Sequence, residues 1–81
     1  MIKRTETLKK KDVTIRWYEL DGKFLGGIHD YLKEIAGIKV HLCTNLDKFQ
    51  VHHFATVKEA YIAMLKQVKD NGERNENNKS V

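Results

Sequence analysis

The residues with the widest chemical repertoire in this 81-residue chain are four histidines and one cysteine. His41, His52, His53 and Cys43 gather in the stretch IKVHLCTNLDKFQVHHF. Imidazole and thiolate are zinc ligands, and a thiolate beside an imidazole is a nucleophile with its base. Suppose IKVHLCT and FQVHHF are hairpin arms turning on Leu46 and Asp47. Val40 then pairs with His53, Leu42 with Val51, and Thr44 with Phe49. In that register His41 and His52 face each other, away from the main core, with side chains about 5 Å apart. Cys43 lies two residues along on the same face, and His53 points the other way. A closed zinc site takes four ligands, and no CxxC or HExxH spacing is present. The cluster therefore reads as a wet strand face with titrating histidines, and no metal or cofactor is expected. A lone strand cysteine is a small filler unless its surroundings activate it. There is no GxGxxG or phosphate loop, and the sole serine, Ser80, is near the C-terminus. The carboxylates do not converge, so the chain is expected not to be an enzyme.

The elements that position these residues follow from pattern. DVTIRWYEL alternates and is rich in β-formers, so it reads as a strand. Asp21-Gly22 joins it to KFLGGI, a signature of a two-residue type I′ hairpin turn. A regular register pairs Leu20 with Lys23, Glu19 with Phe24, Tyr18 with Leu25, Trp17 with Gly26 and Ile15 with Ile28. Val13, Ile15, Trp17, Phe24 and Ile28 then form the core side, leaving Thr14, Arg16, Tyr18 and Leu25 outward. Gly26-Gly27 inside a strand needs a reason: the Trp17 ring lying across a bare backbone, a bulge, or close approach of a ligand. In HDYLKEIAG, Ile28, Leu32 and Ile35 fall on one helical face, so residues 29–36 are expected as a short helix. Continuation of the second strand is the rival. In the second hairpin, Val40, Leu42, Phe49 and Val51 share the core face. In the last helix Thr56 caps the start and Glu59 completes a capping box. Val57, Ala60, Tyr61, Met64, Leu65 and Val68 form its apolar stripe, and Asn71-Gly72 marks its end.

The formal net charge is +4. Residues 1–11 carry Lys3, Arg4, Lys9, Lys10 and Lys11 against Glu6 alone, so the whole excess lies there. Residues 1–11 are expected as a flexible basic arm, 12–70 as a single domain and 71–81 as a disordered tail. The expected fold is α+β: a small antiparallel sheet of two β-hairpins, a short middle helix, and a C-terminal amphipathic helix packed on one face. No apolar run approaches the ~20 residues of a membrane-spanning helix, and one cysteine allows no internal disulfide, so a cytoplasmic protein with no membrane partner is expected.

The run FATVKEA, residues 54–60, resembles the strand-to-helix junction of small three-stranded DNA-binding domains, such as the arm-binding domains of phage and transposon integrases. The resemblance is confined to that junction, and no family site residue follows from it. Two uses suit the residues themselves. The first is a small regulatory protein that binds nucleic acid through Lys3, Arg4, Lys9, Lys10 and Lys11 together with an outer face of Arg16, Tyr18 and Leu25. The second is a protein-binding regulator or inhibitor, of the kind carried by phages and mobile elements, using the same face and able to act as a homodimer.

Overall fold

The computed structural model describes residues 1–46 and 52–80, with residues 72–80 as backbone only. Five strands form one antiparallel sheet in chain order: β1 (Ile2–Lys9), β2 (Val13–Leu20), β3 (Lys23–Ile35), β4 (Ile38–Thr44) and β5 (His52–Phe54). One helix, α1 (Val57–Ser80), packs against β3, β4 and β5. The protein is thus a small α+β fold of five strands and one helix.

The Asp21-Gly22 turn is where its sequence places it, with φ of 50° and 83°. Leu20 pairs with Lys23 and Glu19 with Phe24, as a two-residue turn requires. The register then slips. Tyr18 pairs with Gly26, Trp17 with Gly27 and Arg16 with Ile28, leaving Leu25 as an extra residue in β3. A bulge of one residue moves every later side chain to the other face. The core is therefore Tyr18, Leu25, Ile28, Val40, Leu42, Ala60 and Met64, while Trp17 and Phe24 fall on the face opposite the helix. The expected sidedness is reversed for Trp17, Phe24, Tyr18 and Leu25, while Ile28 keeps its expected place in the core and Ile15 is buried on the opposite face. The two glycines meet different demands here. A β-carbon on Gly26 would lie 2.2 Å from the Cys43 carbonyl oxygen, and one on Gly27 would lie 2.8 Å from the Trp17 ring.

Residues 29–36 are not a helix. β3 runs on to Ile35, and Ala36-Gly37 makes a second turn with φ of 53° and 82°. A helix this short gains little from its own hydrogen bonds, whereas β3 finds partners on two sides. Its pairing with β4 breaks between Asp30–Val40 and Ile35–Ile38, so residues 31–34 bow outward opposite Lys39. Three hydrogen bonds hold the bow. The Leu32 N–H donates to the Asp12 carbonyl at 3.1 Å, and Lys39 Nζ donates to the Tyr31 carbonyl and to Asp30 Oδ1.

Residues 1–11, expected as a free arm, contribute an edge strand instead. β1 pairs along β2 from Ile2–Leu20 to Lys9–Thr14, with a bulge at Thr5. The N-terminal amine also pairs with the Asp21 carboxylate, and Asp21 N–H donates to the Met1 carbonyl. Strand β2 would otherwise present a row of unpaired backbone groups, and β1 satisfies them.

The helix begins as its sequence indicates. Glu59 N–H donates to Thr56 Oγ1 at 3.1 Å, and the Glu59 carboxylate accepts from Ala55 N–H at 3.3 Å. Ala60 and Met64 are fully buried, with Val57, Tyr61, Ala63 and Val68 beside them; Leu65, expected in the stripe, is exposed. The helix does not stop at Asn71-Gly72 but continues to Ser80, through the segment expected as a disordered tail. Among the described residues, no helix is long and apolar enough to cross a membrane.

Candidate functional site

The sheet face opposite α1 gathers the rings of Trp17, Phe24, His29, His41 and His53. β4 and β5 pair Val40 with Phe54, His41 with His53 and Leu42 with His52, one residue away from the expected register. His53, not His52, therefore faces His41, and His52 lies on the helix side. The expected partners Phe49 and Val51, and the turn residue Asp47, lie outside the described residues. Across the next pairing His41 meets His29, and His29 meets Ile15. The result is a row of three imidazoles, His29, His41 and His53, on three adjacent strands. His29 and His41 stack at 4.6 Å with planes inclined by 30°, and His53 follows at 6.2 Å from His41. Trp17 closes one end, edge-on to His29 at 5.9 Å, and Phe24 lies 5.7 Å from Trp17.

The spacing of the histidines within their own strands could not show this row, because His29 joins it only through β3–β4 pairing. The segment expected as a helix had hidden that partner. Among the described residues, no group of three or more His, Cys, Asp or Glu side chains is arranged to hold a metal ion. Stacking explains this for His29 and His41, since their lone pairs lie in the ring planes and do not converge. Burial holds the His29 imidazole below the ordinary histidine range, and neighbouring His41 adds to the effect. Burial does the same for His41, with His53 as the neighbour. Both are therefore uncharged near neutral pH and offer flat, polarisable rings.

Beside the row lies an apolar groove of about 310 Å³, lined by Trp17, Phe24, Gly26, His29, Cys43, Thr44 and Asn45. Its rim is fixed by Asn45, whose Nδ2 donates to the Phe24 carbonyl at 2.7 Å and whose N–H donates to the Leu25 carbonyl at 2.8 Å. His29 Nδ1 is buried and has no hydrogen-bond partner among the described residues. Phe24 is 61% exposed, so a large ring is available at the mouth. Cys43 is a free, exposed thiol on the same face.

The residues expected to make contact are dispersed by this architecture. Lys3, Arg4 and Lys9 lie along the exposed edge strand β1, and Lys10 and Lys11 follow in the turn to β2. Tyr18 and Leu25 are 6% and 1% exposed, inside the core beneath the helix, because the Leu25 bulge turned them inward. Burial pushes the Tyr18 phenol up, against the opposing pull of Arg16 and Arg4. Arg16 shares Tyr18's face, with Nη1 3.7 Å from Asp30 Oδ2, while Lys39 takes Asp30 Oδ1 at 2.9 Å. The outer platform of Arg16, Tyr18 and Leu25 is thus replaced by Trp17, Phe24 and the histidine row.

No protein-family model matches this chain, and no curated protein or solved structure is significantly similar to it.

Proposed function

We propose that the protein is a small, non-catalytic binding module whose ligand is single-stranded nucleic acid. The observation that carries this reading is an aromatic groove, lined by Trp17, Phe24 and His29, on a sheet face that no described element covers, with Lys3 of the edge strand on the same face. Unpaired bases stack on exposed rings of such sheets, while lysine and arginine track the backbone phosphates. Phe24 and Trp17 provide the stacking surface. Lys3, whose β2 partner Glu19 also pairs with Phe24, lies on the ring face and provides a phosphate contact, with Lys10 and Lys11 in the turn to β2 as further ones. A regulatory role in the cytoplasm suits a chain with one free thiol.

The test is fluorescence anisotropy with a labelled oligothymidylate across a salt series. Three neutralised phosphates give a slope of log affinity against log salt of about −2 on a single strand. Replacing Lys3, Lys10 and Lys11 by Gln is expected to flatten that slope. Phe24→Ala, at an exposed position, is expected to weaken binding by about 1–3 kcal/mol if a base stacks there. Absence of binding at low salt to both single strand and duplex would overturn the reading and leave this face to a protein partner.

A further inference from the structure

A second concave surface among the described residues lies at the end of the sheet that carries the β1–β2 turn and the bowed part of β3. It encloses about 430 Å³ between Lys11 and Asp12 on one side and Leu32, Lys33 and Ile35 on the other. Leu32 is 67% exposed and Ile35 53% exposed. These are two exposed aliphatic side chains in the strand that buries Leu25 and Ile28. Nor is the surface a loose loop. The Leu32 N–H holds the bow to the Asp12 carbonyl, and Lys39 holds its base through Asp30 and the Tyr31 carbonyl. Both walls are therefore set before any ligand arrives, which lowers the ordering cost of binding.

The charge around the groove selects its occupant. Lys11 and Lys33 line it, and Lys9 and Lys10 lie just before Lys11 in the chain. Asp12 and Glu34 are the acidic side chains in the same segments, so the rim is basic in excess. Exposed aliphatic side chains inside a charged rim suit the docking of a peptide segment, and the rim charge selects the sign of the partner. We propose that this groove docks a segment of a partner protein in which leucine-type side chains alternate with carboxylates. The groove is separate from the aromatic rings and needs no nucleic acid, but it shares Lys11 with the proposed phosphate contacts, so an acidic segment and a nucleic-acid strand would compete for that side chain.

The experiment uses the full chain and three short labelled peptides: one alternating leucine and glutamate, one leucine and lysine, one serine and glutamate. The leucine–glutamate peptide is expected to bind and the other two are not. Leu32→Ser with Ile35→Ser is expected to weaken that binding about tenfold or more, as loss of two anchors should. Lys11→Glu with Lys33→Glu is expected to reverse the preference toward the leucine–lysine peptide. All four positions are on the surface, and an unchanged melting temperature of each variant shows that its fold is intact. Equal binding of the two leucine peptides would overturn the charge assignment. Binding of none of them would overturn the proposal. So would selective capture of the protein by vesicles containing phosphatidylserine with no peptide binding, which would make the groove a lipid contact.

Discussion

The Trp17 indole lies across the backbone of Gly27, its directly paired residue in β3, so closely that a β-carbon there would sit 2.8 Å from the ring. Gly27→Ala must push the ring out of its place. Overpacking of this kind costs about 1–3 kcal/mol. Trp17 is the sole tryptophan, so its fluorescence reports the move directly. The expected result is a lower denaturation midpoint with a red-shifted emission in the folded state. An unshifted spectrum at an unchanged midpoint would show that the indole does not rest on Gly27.

Folding depresses the affinity of His29 and His41 for protons, by burial first and by neighbouring imidazoles second. In the unfolded chain both take up protons near the ordinary value of about 6.5. Below that value the unfolded state binds more protons than the folded one, so stability is held above pH 6.5 and falls as pH drops through the folded values. Urea denaturation is expected to give a lower midpoint at about pH 5 than at about pH 7.5. A variant carrying His29→Gln and His41→Gln should lose much of that difference. The same pH dependence in the variant would remove the histidine row as its source.

Ala36 holds φ of 53°, a left-handed conformation that a residue with a β-carbon enters at a cost of about 1–2 kcal/mol. Asn-Gly is the preferred pair for such a turn. Ala36→Asn should therefore stabilise the protein by about 1 kcal/mol, read as a higher melting temperature. A lower melting temperature would mean that the β3–β4 turn takes another form in solution.

Thr56→Ala removes the hydroxyl that accepts from Glu59 N–H at 3.1 Å. The expected loss is about 1 kcal/mol in chemical denaturation. Thr56→Asn, which can accept the same bond, should recover most of it; equal loss in both variants would assign the effect to packing instead of capping.

What the sequence made legible were features fixed by a few neighbouring residues. Asp21-Gly22 announced its turn, and Thr56 with Glu59 announced the helix start. Val40 and Leu42 gave the core side of β4 correctly, because alternation alone decides it. The rest depended on partners distant in the chain. Nothing local to KFLGGI distinguishes the bulge at Leu25 from a regular ladder, although the paired glycines marked the region as irregular. That one slip carried Tyr18 and Leu25 inward and Trp17 and Phe24 outward. Leu32 and Ile35 mimicked a helical stripe because they are apolar at helical spacing, yet both are exposed side chains on the bowed part of a strand. The lysines of residues 1–11 outweighed Ile2 and Leu8 in the charge pattern, so the edge strand looked like an arm.

Leu25 occupies an extra place in β3, and places in a strand are counted in twos. Deleting one residue between Asp21 and Gly27 would return the ladder to regular pairing and exchange inside for outside over the rest of the hairpin. No single substitution does that. Descent with this fold can therefore revise residue identities on both faces more freely than it can revise length here. A lineage that keeps the aromatic groove must keep the count of residues from the first turn to Gly27, whatever those residues become.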